Sequence, residues 1–422
     1  MKPDSILLRQ EVREKVSAFG SADIVVGIPS YNNARTIGHV VKAIQVGLAK
    51  YFPGYRTVLI NSDGGSSDGT MDVVHTAVPE GTDAILLSHR VEPVLKIATP
   101  YHGAPGKGSA FRTIFEIAKA LSAKACAVVD SDLRSITPEW IELLIKPVLE
   151  GGYDYVAPLY KRHKYDGTIT NSIIYPLTRA LYGKRVRQPI GGDFGLSGGL
   201  AGYYLTKDVW QTDVARYGID IWMTTTAIAN NFRISQAFLG AKIHDSKDPG
   251  ADLSSMLYQV VGSTFDLMET YSQVWKGVKG SEPVKTFGFQ YAVGLEPVSV
   301  NLARMVEAFR LGLKELYPIW KDILSNEHLR ALEHASGLPI DAFYIPDDVW
   351  VDTVLSFAIA AHRRVMRREH ILKALTPLYL GRTASFVIET RDSDANEVED
   401  KIERLCERFE AAKGPFIIAW DK

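Results

Sequence analysis

Between residues 24 and 157 short apolar runs alternate with segments of helical period, and this alternation leaves few folds open to the chain. Ile24–Ile28 (IVVGI) is a continuous apolar run of buried-strand length. Ile37, Val40, Val41, Ile44 and Leu48 then recur at three- and four-residue spacing, one face of a helix. Thr57–Ile60 (TVLI) and Ala84–Ser88 (AILLS) repeat the strand signal, and Phe111, Ile114, Phe115, Ala118 and Leu121 repeat the helical one. Ala125–Val129 (ACAVV) and Tyr153–Ala157 are further strands. Between them Pro138 opens a helix, with Thr137 as its N-cap and Glu139 in its first turn. Strands alternating with helices predict an α/β fold, a mostly parallel sheet with helices on both faces. Ligands of such sheets bind beyond the carboxyl ends of the strands.

The texture changes near residue 250. Leu253–Trp275, Val298–Leu316, Asp347–Arg368 and Glu397–Ala412 read as helices, with Ser385–Glu389 and Pro415–Trp420 as short strand candidates. The expected division is an α/β domain over 1–250 and a mainly helical domain over 251–422.

Composition narrows the function classes. The 422 residues are 46% hydrophobic and carry a formal net charge of −1, so there is no basic excess of the kind a nucleic-acid binder shows. The basic cluster Lys161–Lys164 (KRHK) reads as a solvated loop. No apolar run reaches the roughly 18 residues that span a bilayer, and the opening MKPDSILLRQEVREK lacks the apolar core of a signal peptide. The two cysteines, Cys126 and Cys406, form neither a disulfide nor a metal pattern, which fits a reducing, cytoplasmic setting.

The polar motifs fall where strands end. Asp130-Ser131-Asp132 follows ACAVV; two carboxylates there are costly unless paired, and a divalent cation with oxygen ligands relieves that cost. Pro29-Ser30-Tyr31-Asn32-Asn33 follows the first strand, where asparagines can read a base or ribose and a helix N-terminus favours anions. Asn61–Thr70 (NSDGGSSDGT), after the second strand, offers glycines for close approach and Ser and Asp for hydrogen bonds. Gly106-Lys107-Gly108 precedes a helix and can present an ammonium to a phosphate. Gly191-Gly192-Asp193 follows Gln188-Pro189-Ile190 and can hold sugar hydroxyls. Gly218-Ile219-Asp220 opens an apolar run, and His244 closes a strand-like stretch as a candidate metal ligand. Taken singly, each of these also suits an ordinary turn, cap or structural histidine.

In this order the motifs resemble the glycosyltransferases of the GT-A fold. The run Q-P-I-G-G-D, then G-I-D, then His244, is similar to the retaining branch that makes glucosyl-3-phosphoglycerate or mannosylglycerate. Members of that branch carry Q-P-L-G-G-E, G-I-D, a late metal-binding histidine and a helical C-terminal region. The resemblance implies a metal-dependent hexosyltransferase taking a UDP- or GDP-hexose, with Mg2+ or Mn2+, and a product of the compatible-solute type. It places Pro29, Tyr31, Asn32 and Asn33 at the nucleoside, with Ser62 or Asp63 nearby. It places Lys107 at the diphosphate, Asp130 on the ribose side, Ser131 among the donor-binding residues, and Asp132 and His244 on the metal. Gly192, Asp193 and Asp220 belong to the donor-sugar pocket, and Thr170 with Asn171 to the acceptor. No catalytic base is assigned, since a leaving phosphate oxygen can take the acceptor's proton.

Two departures bear on substrate. Asp193 replaces the usual glutamate and shortens the arm toward the sugar. Thr168 stands where the phosphoglycerate enzymes have an arginine, and losing that planar fork favours an unphosphorylated hydroxy acid such as glycerate, unless Lys161 or Arg162 compensates. The alternatives are a glucosyl-3-phosphoglycerate synthase, an inverting transferase with another acceptor, a nucleotidyltransferase, for which the expected Gly- and Arg-rich loop is missing, and a non-catalytic sugar-nucleotide binder. The helical region offers a face through which two copies can pair.

Overall fold

The computed structural model describes Leu8 and residues 10–77, 95–100, 106–244, 253–291 and 293–422. The expected strand Ala84–Ser88 lies outside the described residues. The chain divides into two units, each discontinuous in sequence. The first comprises Met1–Lys161, Gln188–Asp245 and Val284–Leu295; the second comprises Arg162–Arg187, Ser246–Pro283 and Glu296–Lys422. This differs from the expected cut at 250, because residues 162–187 join the later helices and residues 284–295 return to the α/β unit.

In the first unit eight strands form one sheet among the described residues. They are β1 (Ile24–Ser30), β2 (Thr57–Asp63), β3 (Leu95–Pro100), β4 (Ala125–Val128), β5 (Tyr155–Lys161), β7 (Phe194–Ser197), β8 (Ile234–Ala241) and β10 (Lys285–Phe287), with β6 (Lys184–Arg185) and β9 (Glu282–Pro283) paired in the second unit. The order across the large sheet is β10-β8-β5-β7-β4-β1-β2-β3. All its pairs are parallel except those of β7, which runs antiparallel to β4 and β5. The chain is thus α/β with a mostly parallel sheet, as the alternation predicts.

Every residue of β1 is buried, as a central strand covered on both faces must be. Ile24, Val26 and Ile28 pack with the helices Ile37–Tyr51 and Glu139–Leu149 on one face. On the other, a Cβ at Gly27 would lie 2.5 Å from Ile114, so the helix Lys107–Ala120 presses directly on the backbone there. The helix expected at Pro138 starts one residue later, with Pro138 itself as the cap and no side-chain cap bond from it.

β1 and β2 run past their apolar stretches into Pro29-Ser30 and Asn61-Ser62-Asp63, which pair in register as Pro29 with Ser62 and Ser30 with Asp63. Hydrogen bonds between the polar side chains make that extension tolerable: Asn61 donates to Ser30 Oγ at 2.8 Å, and Ser30 donates to Asp63 at 2.9 Å.

The second unit is helical. Its longer members are Leu253–Thr270, Leu302–Ile323, Asn326–Gly337, Asp347–His362, Arg368–Glu389 and Ala395–Trp420, joined by Tyr175–Tyr182 from the earlier excursion. Both strand candidates are corrected. Ser385–Glu389 is the last turn of Arg368–Glu389, and Pro415–Trp420 ends the helix that begins at Ala395. Their β-branched and aromatic residues satisfy tertiary packing instead: Phe386 packs on the cluster of Tyr175, Val398, Ile402 and Cys406, and Phe416 and Trp420 contact Trp275. The Ala395 helix is set by a reciprocal capping box between Asp394 and Glu397. Among the described residues no helix is long and apolar enough to cross a membrane.

Candidate functional site

The loops after β1 and β2 are laced together at the carboxyl edge of the sheet. Asn32 adopts a positive φ of 53°, a conformation asparagine tolerates. Its N–H donates to Ser66 Oγ at 2.7 Å, and its side-chain oxygen accepts from Ser67 N at 3.0 Å. Asn33 N–H donates to Thr70 Oγ1 at 2.9 Å, and Ala34 N–H donates to Asp68 at 3.0 Å. Tyr31 is left 62% exposed, an aromatic face presented to solvent beyond β1. Pro29, by contrast, is buried inside β1.

Asp63 organises this lattice from within. It is wholly buried, and its carboxylate accepts from Ser30 Oγ, Ser66 Oγ and the backbone N–H groups of Gly65 and Ser66 at 2.6–2.9 Å. Ser62 is equally buried. The expectation that Ser62 or Asp63 faces a nucleoside is therefore corrected: these residues are inside the sheet and shape the loop. Replacing Asp63 by Ala strands donors that it now satisfies. The expected cost is about 3 kcal/mol of stability, read from a urea transition.

The end of β4 joins the same lattice. Ser131 Oγ donates to Asn33 Oδ1 at 2.8 Å, and Thr36 Oγ1 donates to Ser131 O at 2.8 Å. On either side of Ser131 the two aspartates have unlike surroundings. Asp130 is held between two ammoniums, Lys107 Nζ at 2.8 Å on one oxygen and Lys242 Nζ at 2.8 Å on the other. Burial opposes its ionisation, but Lys107 and then Lys242 outweigh it and hold the carboxyl well below the usual carboxylate range. Asp132 forms no hydrogen bond or ion pair among the described residues. Burial first, and then the Asp130 charge, push its carboxyl up against the weaker pull of Lys242 and His244.

Lys107 reaches Asp130 because the glycines around it sit against the backbone of residues 214–216. A Cβ at Gly108 would lie 1.8 Å from Val214 O, and one at Gly106 would lie 2.5 Å from Ala215 O. The ammonium also lies 3.4 Å from both oxygens of Asp220, in the first turn of the helix Ile219–Ala229. Burial pushes the Asp220 carboxyl up, against the pull of Lys107.

The stretch from Gln188 to Asp193 can be read residue by residue. Gln188 exchanges hydrogen bonds with the backbone of Tyr160, and Pro189 O accepts from Thr224. Gly191 O accepts from Lys242 Nζ at 2.8 Å. Gly192 has φ +96°, and a Cβ there would meet Asp130 Oδ2 at 2.1 Å. Asp193 is wholly buried and accepts from Asp130 N–H at 2.7 Å, from Lys242 Nζ at 2.9 Å and from the Tyr160 hydroxyl. Asp193 thus organises the pocket from behind rather than reaching into it.

Leu133 and His244 form an antiparallel bridge, extended by Arg134 N–H donating to Ile243 O at 2.9 Å. This brings His244 beside Asp132. No group of three or more His, Cys, Asp or Glu side chains gathers into a metal cage among the described residues. One half-buried carboxylate without an ammonium partner, next to an imidazole, suits a divalent ion that takes its other ligands from a bound molecule.

Thr170 and Asn171 belong to the second unit, at the start of the π-helical turn Thr170–Ile174. Asn171 Oδ1 accepts from Arg187 at 3.0 Å. Thr168 is buried, with its hydroxyl 2.5 Å from that of Tyr379. The KRHK stretch is more than a solvated loop, since Lys164 donates to the carbonyls of Thr390, Arg391 and Ser393 at 2.6–3.0 Å.

Sequence reasoning missed Lys242 and Tyr160. Lys242 stands two residues before His244, at the end of β8, and a strand-end cation opposite four site aspartates was the signal available. Tyr160 sits in an apolar run and gave none.

Residues 25–204 match the family model described as glycosyl transferase family 2. That stretch is a family 2 glycosyl transferase segment. The chain carrying it is a glycosyltransferase, and the sheet of its first unit is of the GT-A type. The family 2 segment contains both laced loops, Lys107, Asp130, Asp132 and Asp193, while Asp220, Lys242 and His244 lie beyond its end. Among solved structures, glucosyl-3-phosphoglycerate synthase from Mycobacterium tuberculosis is similar to the chain. Its complex with Mg2+ and UDP is 22% identical, with a TM-score of 0.43, over 60% of this chain and 82% of that one. Its complex with Mn2+, UDP-glucose and phosphoglyceric acid is 21% identical, with a TM-score of 0.43, over 64% and 86%. No curated protein matches the chain.

Proposed function

We propose that the chain is a metal-dependent, retaining transferase that moves a hexose from a nucleoside-diphosphate sugar to a small hydroxy acid such as glycerate, in a reducing cytoplasm. The observation that carries this reading is the unequal pair Asp130 and Asp132. One aspartate is satisfied by two lysines, and the other is half-buried beside His244 without an ammonium partner.

In this reading Asp132 and His244 hold Mg2+ or Mn2+, which when bound supplies charge neutralisation at the departing diphosphate. Lys107, between Asp130 and Asp220, presents its ammonium to the same phosphates as a point charge. Exposed Tyr31 offers its ring to the base, and the backbone around Asn32 and Asn33 is held still for the nucleoside by its bonds to Ser66, Ser67 and Thr70. Asp220 binds the donor sugar. Retention follows if the acceptor hydroxyl is held on the leaving-group face.

A second reading takes 3-phosphoglycerate as acceptor. Thr168 points to Tyr379 inside its own unit, so its identity does not separate the two acceptors. An activity screen pairs UDP- and GDP-glucose and -mannose with glycerate and 3-phosphoglycerate, with and without Mn2+. Metal-dependent product from glycerate, with the donor's anomeric configuration kept, is the expected result. Product from 3-phosphoglycerate alone overturns the acceptor, an inverted linkage overturns retention, and donor binding without transfer reduces the chain to a binder.

A further inference from the structure

Lys242 is the lysine of the site that a ligand does not reach. Its side chain is 5% exposed. The ammonium donates to Asp130 Oδ2 and Gly191 O at 2.8 Å and to Asp193 Oδ2 at 2.9 Å, and its own N–H is tied to Lys161 O. Lys107, by contrast, stands at the more open side of Asp130, with 17% of its side chain exposed.

Asp130 and Asp132 leave the same strand end two residues apart. A carboxylate oxygen of Asp130 free of Lys242 is a hard ligand beside Asp132, and hard divalent ions collect such oxygens. Lys242 occupies that oxygen. Being attached to Asp193 and Gly191 as well, it has no freedom to follow Asp130 elsewhere.

We infer that Lys242 is a positioning residue that withholds Asp130 from the divalent ion, leaving the ion on Asp132 and His244 with positions open for the donor's diphosphate. This inference rests on the metal reading above. It makes Lys242 an internal stand-in for a second positive charge: it keeps the aspartate pair from closing on the ion, and it fixes the oxygen of Asp130 that faces Lys107. An ordinary structural lysine would have a different signature, since its loss would loosen metal binding and activity together.

The test is Mn2+ binding to the full-length protein without donor, followed by the electron paramagnetic resonance of free Mn2+. Lys242→Met is expected to bind Mn2+ about tenfold more tightly, through one added carboxylate ligand and one lost positive charge, while kcat falls at least tenfold and the donor KM rises. Lys242→Arg is expected to return Mn2+ affinity toward that of the natural chain. Asp193 is buried against Lys242, so Lys242→Met combined with Asp193→Asn carries the same measurement if the single variant fails to fold. Folded variants that bind Mn2+ equally or more weakly overturn the inference. If the natural chain binds no Mn2+, or binds it undiminished in Asp132→Ala, the metal reading itself has failed, and that result is distinct from the first.

Discussion

Asp132→Ala is expected to lower metal-dependent kcat/KM by about a thousandfold, while the thermal midpoint stays the same or rises slightly. The two halves of this result have different causes. Charge neutralisation by a bound ion contributes several kcal/mol to the barrier, and about 4 kcal/mol corresponds to three decades of rate. Folding loses nothing comparable, because the Asp132 carboxylate makes no hydrogen bond among the described residues and is pushed up by burial and by Asp130. Removing it relieves a repulsion. Steady-state kinetics over a Mn2+ titration, with a melting curve on the same sample, checks both halves. A drop in midpoint with unchanged turnover would make Asp132 a structural residue and remove the metal from it.

Gly192→Ala is expected to damage stability and activity together. Its φ of +96° is strained for any residue with a side chain, and the added carbon would lie 2.1 Å from Asp130 Oδ2 and 2.9 Å from Lys242 Nζ. Backbone strain and overpacking each cost about 1–3 kcal/mol, so a loss of about 3 kcal/mol is expected. Displacing Asp130 by an ångström also displaces Lys107, and misplacement of that size costs about a hundredfold in rate. Gly202→Ala is the control. It lies in the helix Gly198–Leu205 with nothing within 4 Å of an added Cβ, and it is expected to gain up to about 1 kcal/mol, with kinetics unchanged. Urea unfolding and donor kinetics on the pair decide; a Gly192→Ala enzyme of normal activity would remove the lysine–aspartate cluster from the chemistry.

β7 and the three-residue β10 carry no apolar run and went unread, whereas β1, β2 and β4 were legible because they are buried along their whole length and read as apolar runs; β1 needs only Ile24–Ile28 to be recognised. Their polar extensions were harder. Ser30, Asn61 and Asp63 look like loop residues until the register places Ser30 against Asp63, and only pairing across sequence separations of more than 30 residues makes them strand. The same blindness assigned Ser62 and Asp63 to a ligand. In the site, type and position single out Asp132 and His244 as candidates, whereas the grip of Lys242 depends on Asp130, Gly191 and Asp193, two stretches of chain far upstream of it. In the helical unit, Pro415–Trp420 has β-rich composition, and the packing of Phe416 and Trp420 on Trp275 overrides it.

The threading of the two units has a consequence for biosynthesis. Arg179 is 2% exposed, and its carboxylate partners Glu403 and Glu410 lie 224 and 231 residues downstream. At about 5–20 residues per second, the nascent chain carries that guanidinium for about ten to forty-five seconds before either partner exists. Over the same interval β8 lacks its edge partner β10 until residue 287 has been made. The first unit is therefore complete in sequence only at residue 295, and the stretch 162–187 is without its partners until the last helix has been made.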